Sequence, residues 1–251
     1  MPPLDHEQSV NTRAPSPATF DPADLAGLDE PVRRYFAHAL RPGAALTPGV
    51  RLVMSGRVKV RTWLPFRSIW EGDGRSFAWK AAVGPGRLAL LRVLDRFADG
   101  AGSMEVRLLG RMTLVHADDE DTTRSAAGRA AVEATWAPAG LLPARGVDWR
   151  AESDELIVAT WDLPPERPEV HIRIGADGGV RSSQVMRWNS GEHGRHGYIP
   201  CGADIAAERC FGDLVIPSRL TAGWWYGTPR YDPFFEAEVT AAEPLAGRGA
   251  T

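Results

Sequence analysis

From Val50 onward the apolar positions recur every second residue. Val50, Leu52, Met54, Val58 and Val60 alternate with Arg51, Ser55, Arg57, Lys59 and Arg61, which predicts a strand with one buried and one wet face. The next stretch, PFRSIWEGDGRSFAWKAAV, reads as two aromatic-bearing strands about a Gly72-Asp73-Gly74 turn. Leu88 to Phe97 fits a strand or a short helix; Ser103–Leu109 and Met112–His116 follow, joined at Gly110-Arg111. Beyond a helical interruption the pattern resumes with Val147–Ala151, Glu155–Asp162, Glu169–Ile174 and Val180–Asn189. Tyr198–Phe211, Leu214–Tyr226 and Phe234–Val239 complete it. These amount to roughly ten strands joined mostly by short turns, a density that favours one strongly curved antiparallel sheet over a parallel α/β arrangement.

Helical spacing appears in three places. Asp21-Pro22 pairs an N-cap with a proline at the first helical position. Glu30-Pro31 opens a second helix with Val32, Tyr35, Phe36 and Leu40 on one face, stopped by Gly43. The longest run lies between Asp121 and Pro143, where a helix from about Thr122 to Trp136, capped by Asp121, is ended by Pro138. One side of it is very small: Ala127, Gly128, Ala130, Ala131 and Ala134. The other carries Ser125, Arg129, Glu133 and Trp136 as one stripe. Arg129 precedes Glu133, the order opposite to the one the helix dipole favours. Three roles stay open for the pair: a tertiary ion pair locking helix to sheet, part of a polar site facing a cavity, or a solvated face. The expected architecture is α+β and mainly antiparallel, a half-barrel or open barrel with this helix roofing its concave face and helices at the N-terminus. No fixed-period repeat and no convincing linker divides the chain, so residues 20–241 form one domain between tails at 1–19 and 242–251.

Composition removes several function classes. The formal net charge is −3 and the basic residues are dispersed, whereas a nucleic-acid footprint needs a concentrated basic face. Two cysteines, Cys201 and Cys210, make neither a disulfide framework nor a thiolate zinc site. The start, MPPLDHEQSVNTRAPSPATF, lacks the continuous apolar segment of a signal peptide, and no run approaches the roughly 18 apolar residues of a membrane-spanning helix. A cytoplasmic protein is the expectation, its polar, Pro-rich start disordered through about residue 18. Nine Trp against four Tyr suit a large core or the wall of an aromatic pocket.

Two regions carry candidate chemistry besides the central helix. His116 shares strand parity with Met112 and Leu114 just before the acidic run Asp118–Asp121. At the inner end of its strand it reads either as a core or rim histidine satisfied by a carboxylate or as an acid or base of a cavity. Glu192, His193 and His196 lie in a Gly-rich loop, too weak a pattern to assign a metal. Around that loop Arg187, Trp188, Tyr198 and Cys201 suggest a polar-aromatic rim, or an ordinary solvent loop; a nucleophilic Cys201 would need one of those histidines as its base. Trp224 and Trp225 must face opposite sides of their strand. No Gly-x-Ser-x-Gly, phosphate-cradling loop or dinucleotide fingerprint occurs, because Gly100-Ala101-Gly102 enters a strand.

The pattern Arg129-x3-Glu133-x2-Trp136-x-Pro138-x2-Leu141-Leu142, followed by Val147-x-Trp149, resembles a large bacterial family known only as a domain of unknown function. Pro31-Val32-x2-Tyr35-Phe36, Phe77-x-Trp79, Asp95-x3-Asp99-Gly100-x-Gly102-x-Met104, Ile216-Pro217-Ser218 and Gly223-Trp224 are similar to it as well. The resemblance spans about residues 20 to 240, with a bulkier residue in many relatives where Ala130 stands here. It implies a strand order similar to the half-barrel of periplasmic lipoprotein carriers and of an indolic-pigment rearrangement enzyme, and no reaction.

Three functions therefore compete. The first is a carrier that binds an apolar or aromatic small molecule in the concave face, anchored by Arg129, Trp136, Arg187, Trp188, Tyr198 and Trp224. The second is a cofactor-free, metal-free cyclase, isomerase or rearrangement catalyst with Glu133 or His116 as acid or base. The third is a structural or partner-binding protein whose cup is filled by its own side chains.

Overall fold

The computed structural model describes residues 18–86, 89–191 and 196–245. In it thirteen antiparallel strands form a single open sheet in the order β6-β5-β4-β3-β2-β1-β13-β12-β11-β10-β9-β8-β7. The N-terminal arm holds β1 (Val50–Lys59), β2 (Trp63–Gly72), β3 (Phe77–Val83), β4 (Leu91–Ala98), β5 (Ala101–Leu108) and β6 (Met112–Ala117). The C-terminal arm holds β7 (Asp148–Ser153), β8 (Leu156–Thr160), β9 (Glu169–Ile174), β10 (Val180–Ser190), β11 (His196–Phe211), β12 (Leu214–Trp224) and β13 (Asp232–Pro244). Each arm is a meander, and β1 pairs with β13 to join them. The expectation of roughly ten strands was low; Leu91–Ala98 is a strand rather than a helix, so the N-terminal arm contains no break.

Two helices organise the sheet. α1 (Glu30–Ala39) buries Val32, Tyr35, Phe36 and Ala39 against β7, β8 and β12, with the Phe36 ring 5.3 Å from Trp149 in an edge contact. α2 (Glu120–Val132) connects β6, one edge of the sheet, to β7, the other. It packs on β4 and β5 of one arm and on β10 of the other. β5 and β10 are eight positions apart in the sheet, a span of about 38 Å if flat at about 4.8 Å per strand. A helix is only about 10–12 Å wide, so the sheet must curl round α2 for both arms to touch it. The close approach is set by small residues: a Cβ on Gly102 would stand 2.8 Å from the Thr123 Cα and from the Ala126 Cβ, and one on Gly128 2.9 Å from the Arg187 Cγ.

Both ends of α2 differ from the expected ones. Asp119, not Asp121, caps it, its Oδ1 accepting from the Thr122 N–H at 2.8 Å. The helix stops at Val132, with Glu133 as C-cap, and continues as 3-10 turns over Ala134–Trp136, Pro138–Leu141 and Pro143–Arg145. Pro138 forces Ala137 out of the helical region, and Trp136 turns inward, its indole donating to the Pro217 carbonyl at 3.1 Å. At the borders of the expected tails, Thr19 bridges Ala45 and β13 runs to Pro244. Residues 1–17 of the expected N-terminal tail and 246–251 of the C-terminal one lie outside the described residues. Among the described residues no helix is long and apolar enough to cross a membrane.

Candidate functional site

Between α2 and the concave face lies a cavity of about 410 Å³. From α2, its C-cap and the turn after it come Ser125, Arg129, Glu133 and Trp136, all four residues of the stripe; the strands add Asp95, Trp79, Arg187, Cys201, Trp224 and Phe235 among others. The sheet's curl accounts for this: a helix pinned between two arms at its edges leaves its middle over the sheet's floor.

The most ordered part of the wall is an ion network. The Arg129 Nη1 donates to the Asp95 Oδ2 at 2.6 Å and its Nε to the Glu133 Oε1 at 2.8 Å. The other Glu133 oxygen accepts from the Trp70 indole N–H at 2.8 Å. The guanidinium also lies 4.9 Å and 5.0 Å over the Phe77 and Trp79 rings. Burial acts to lower the Arg129 pKa, but the Glu133 and Asp95 carboxylates outweigh it and hold the group above its ordinary value. Two roles open at the sequence level thus coincide, since the pair ties α2 to β4 and borders the cavity at once. Trp79, 6% exposed, is the exception to this saturation: its indole N–H has no partner among the described residues.

On the opposite arm the Arg187 Nε donates to the Ser125 carbonyl at 2.9 Å, and its guanidinium sits 4.8 Å over the Trp224 ring. Cys201, hydrogen-bonded to Arg187, is buried, and burial pushes its thiol pKa up. A raised pKa keeps it protonated and poorly nucleophilic.

Several expected residues fall elsewhere. His116 is not at the inner end of a strand. Its side chain is 61% exposed and lies 3.5 Å from Asp118, and Met112, Leu114 and Val115 beside it are exposed too. β6 is an edge strand, with a register irregularity between Val115 and Thr113 that leaves Leu114 without a partner on β5. Alternation therefore covers neither face. Trp188 and Tyr198 lie outside the cavity, in a second groove of about 480 Å³. Adjacent residues of a strand point to opposite faces, so Arg187 and Trp188 could not share one rim. In that groove the Trp188 indole donates to the Asp121 Oδ1 at 2.8 Å, and Arg124 stacks 3.6 Å over its ring. Arg124 also donates to Glu166 at 2.7 Å and to the Tyr198 oxygen at 2.7 Å, while the Tyr198 hydroxyl donates to Glu166 at 2.6 Å. Burial, then the Glu166 contact, raises the Tyr198 pKa.

Glu192 and His193 lie outside the described residues. His196 stands 3.3 Å from Asp121 and edge-on to Trp188, on the outer side. Among the described residues Glu152, Glu169 and His171 come together as possible metal ligands. The Arg150 Nη2 already bonds both glutamates there, at 3.1 and 2.8 Å, so a cation of the protein serves these exposed groups.

Asp95, Trp70 and Trp79 escaped the sequence reading of the site. For Asp95 a signal existed: it alternates with Val93 and Phe97 on β4, an acid on the apolar face of a strand. Trp79 stood out only through the Phe77-x-Trp79 pair of the resemblance, and Trp70 carried no mark among nine tryptophans.

The family described as a family of unknown function, DUF6920, matches residues 26–243. No curated protein matches the chain significantly. Among solved structures, the crystal structure of a DUF1329 family protein from Desulfovibrio piger is similar with a TM-score of 0.46 at 10% identity, covering 87% of this chain and 95% of that one.

Proposed function

For this chain, which belongs to the DUF6920 family of unknown function, we propose that the half-barrel binds an apolar or aromatic small molecule between α2 and the sheet. The observation that carries this reading is the cavity itself. Its volume of about 410 Å³ lies in the range of small-molecule sites, about 300–1,000 Å³, and its lining joins aromatic and aliphatic walls to charged and polar side chains. The orphaned Trp79 N–H supports it, because a buried donor without an acceptor is costly unless something else supplies one.

An acid–base enzyme fits less well. Glu133 has both oxygens engaged, by Arg129 and by Trp70, and His116 is on the exposed edge, so neither expected proton carrier is free to face a substrate. A purely structural reading would have the cup filled by its own side chains, and a cavity of about 410 Å³ argues for the carrier over it.

N-phenyl-1-naphthylamine, a neutral apolar fluorophore, tests the reading. Its fluorescence should rise saturably with one site on the wild type and fall by at least about tenfold in affinity for Ala222→Phe, which adds a ring to the cavity wall. Undiminished binding to a folded Ala222→Phe protein places the probe elsewhere and sinks the cavity as the site.

A further inference from the structure

The cavity wall contains two arginines in opposite electrostatic situations. Arg129 has two carboxylates within 2.8 Å. Arg187, half-buried on β10, has none within ion-pair distance among the described residues; its partners are the Ser125 carbonyl, the Cys201 sulfur and the Trp224 ring face. These groups orient the guanidinium without neutralising it. A partly desolvated charge held by neutral groups is destabilised relative to water unless an opposite charge completes it. The planar guanidinium fork matches a carboxylate in particular.

The other charges of the wall point the same way. The Asp95 and Glu133 carboxylates already face Arg129, and both Glu133 oxygens are occupied. Asp119 and Asp121, at the N-terminus of α2, accept from the Thr122 N–H and the Trp188 indole, neutral donors that orient them without removing their charge. The positive end of the helix dipole offsets their charge. The Trp79 N–H, buried and without a partner among the described residues, is again a donor. An ionised carboxylate only accepts hydrogen bonds, so it meets what this wall has left to give.

We infer that the ligand is an apolar carboxylate whose head pairs with Arg187 while its hydrocarbon lies against the cavity's aromatic rings. This rests on the binding reading above. Decanoate and decanol, which share a chain and differ in the head, separate the two by calorimetric titration. The wild type should bind decanoate at least about tenfold more tightly than decanol, the scale of one charge-assisted contact. Arg187→Gln should erase that preference, bringing decanoate affinity down to that for decanol, and Arg187→Lys should restore part of it. Equal affinity of the wild type for the two, or a preference that persists in Arg187→Gln, overturns the carboxylate inference and leaves the cavity reading standing. If Arg187→Gln fails to fold, a decanoate preference in Arg187→Lys as large as the wild type's likewise overturns pairing through the fork. Failure of decanol, decanoate and the naphthylamine probe alike removes the cavity reading and this inference with it.

Discussion

Arg129 shows how one side chain can serve packing and cavity together. It is flanked by Asp95 and Glu133, and the three side chains are 13% to 15% exposed. Arg129→Met would strand two carboxylates near each other with little solvent, so it should destabilise the fold by about 3–5 kcal/mol in urea unfolding. Removing the acids as well, in Arg129→Met with Asp95→Asn and Glu133→Gln, should recover much of that loss, because no uncompensated charge remains. A triple variant no more stable than the single one would refute this electrostatic account. Glu133→Gln alone keeps an acceptor for Trp70 and should cost only about 1–3 kcal/mol. If the folded Glu133→Gln protein lost a turnover that the wild type displayed, the acid–base reading would displace the carrier.

Among the elements, α2 depends on contacts with no side chain at all. Gly102 on β5 meets helix backbone, with the Thr123 Cα 2.8 Å and the Thr122 carbonyl oxygen 3.0 Å from a would-be Cβ. Backbone cannot rotate away, so Gly102→Ala should cost about 1–3 kcal/mol, as overpacking does. Gly128→Ala meets the Arg187 Cγ at 2.9 Å and Cβ at 3.3 Å, with backbone no nearer than 3.4 Å, and gains about 1 kcal/mol in helix propensity. It should therefore be much the milder of the two in thermal unfolding, yet disturb decanoate binding more through Arg187. The reverse ranking of stabilities would mean that α2, not β5, gives way. The small-faced helix was legible in the Ala and Gly run. Which neighbour each small residue admits was not, because that depends on two arms far apart in sequence.

At the scale of the whole molecule the open edge is the feature that needs explaining. β6 exposes Met112, Leu114 and Val115 at the end of a thirteen-stranded sheet, and an unpaired edge invites pairing with other chains. The irregularity at Leu114 is one of the devices that blunt such an edge. Leu114→Lys should leave stability within about 0.5 kcal/mol and lower light scattering on prolonged heating. A large loss of stability would show that Leu114 is covered in solution.

The sequence alone determined the local periods. Alternation marked nearly every strand, the Gly72–Gly74 and Gly110 turns, and the Ser125–Arg129–Glu133–Trp136 stripe, since these follow from which residues neighbour each other along one element. It could not decide what lies across from them. The thirteenth strand's pairing with the first, the curl of the sheet round α2, the placing of Asp95 against Arg129 and of Trp188 outside the cup all join residues separated by tens of positions. The same limit left His116 open between core, rim and cavity, since parity does not reveal that an edge strand has no second neighbour to bury it. Burial is a property of what a strand packs against, and only the tertiary structure supplies that partner.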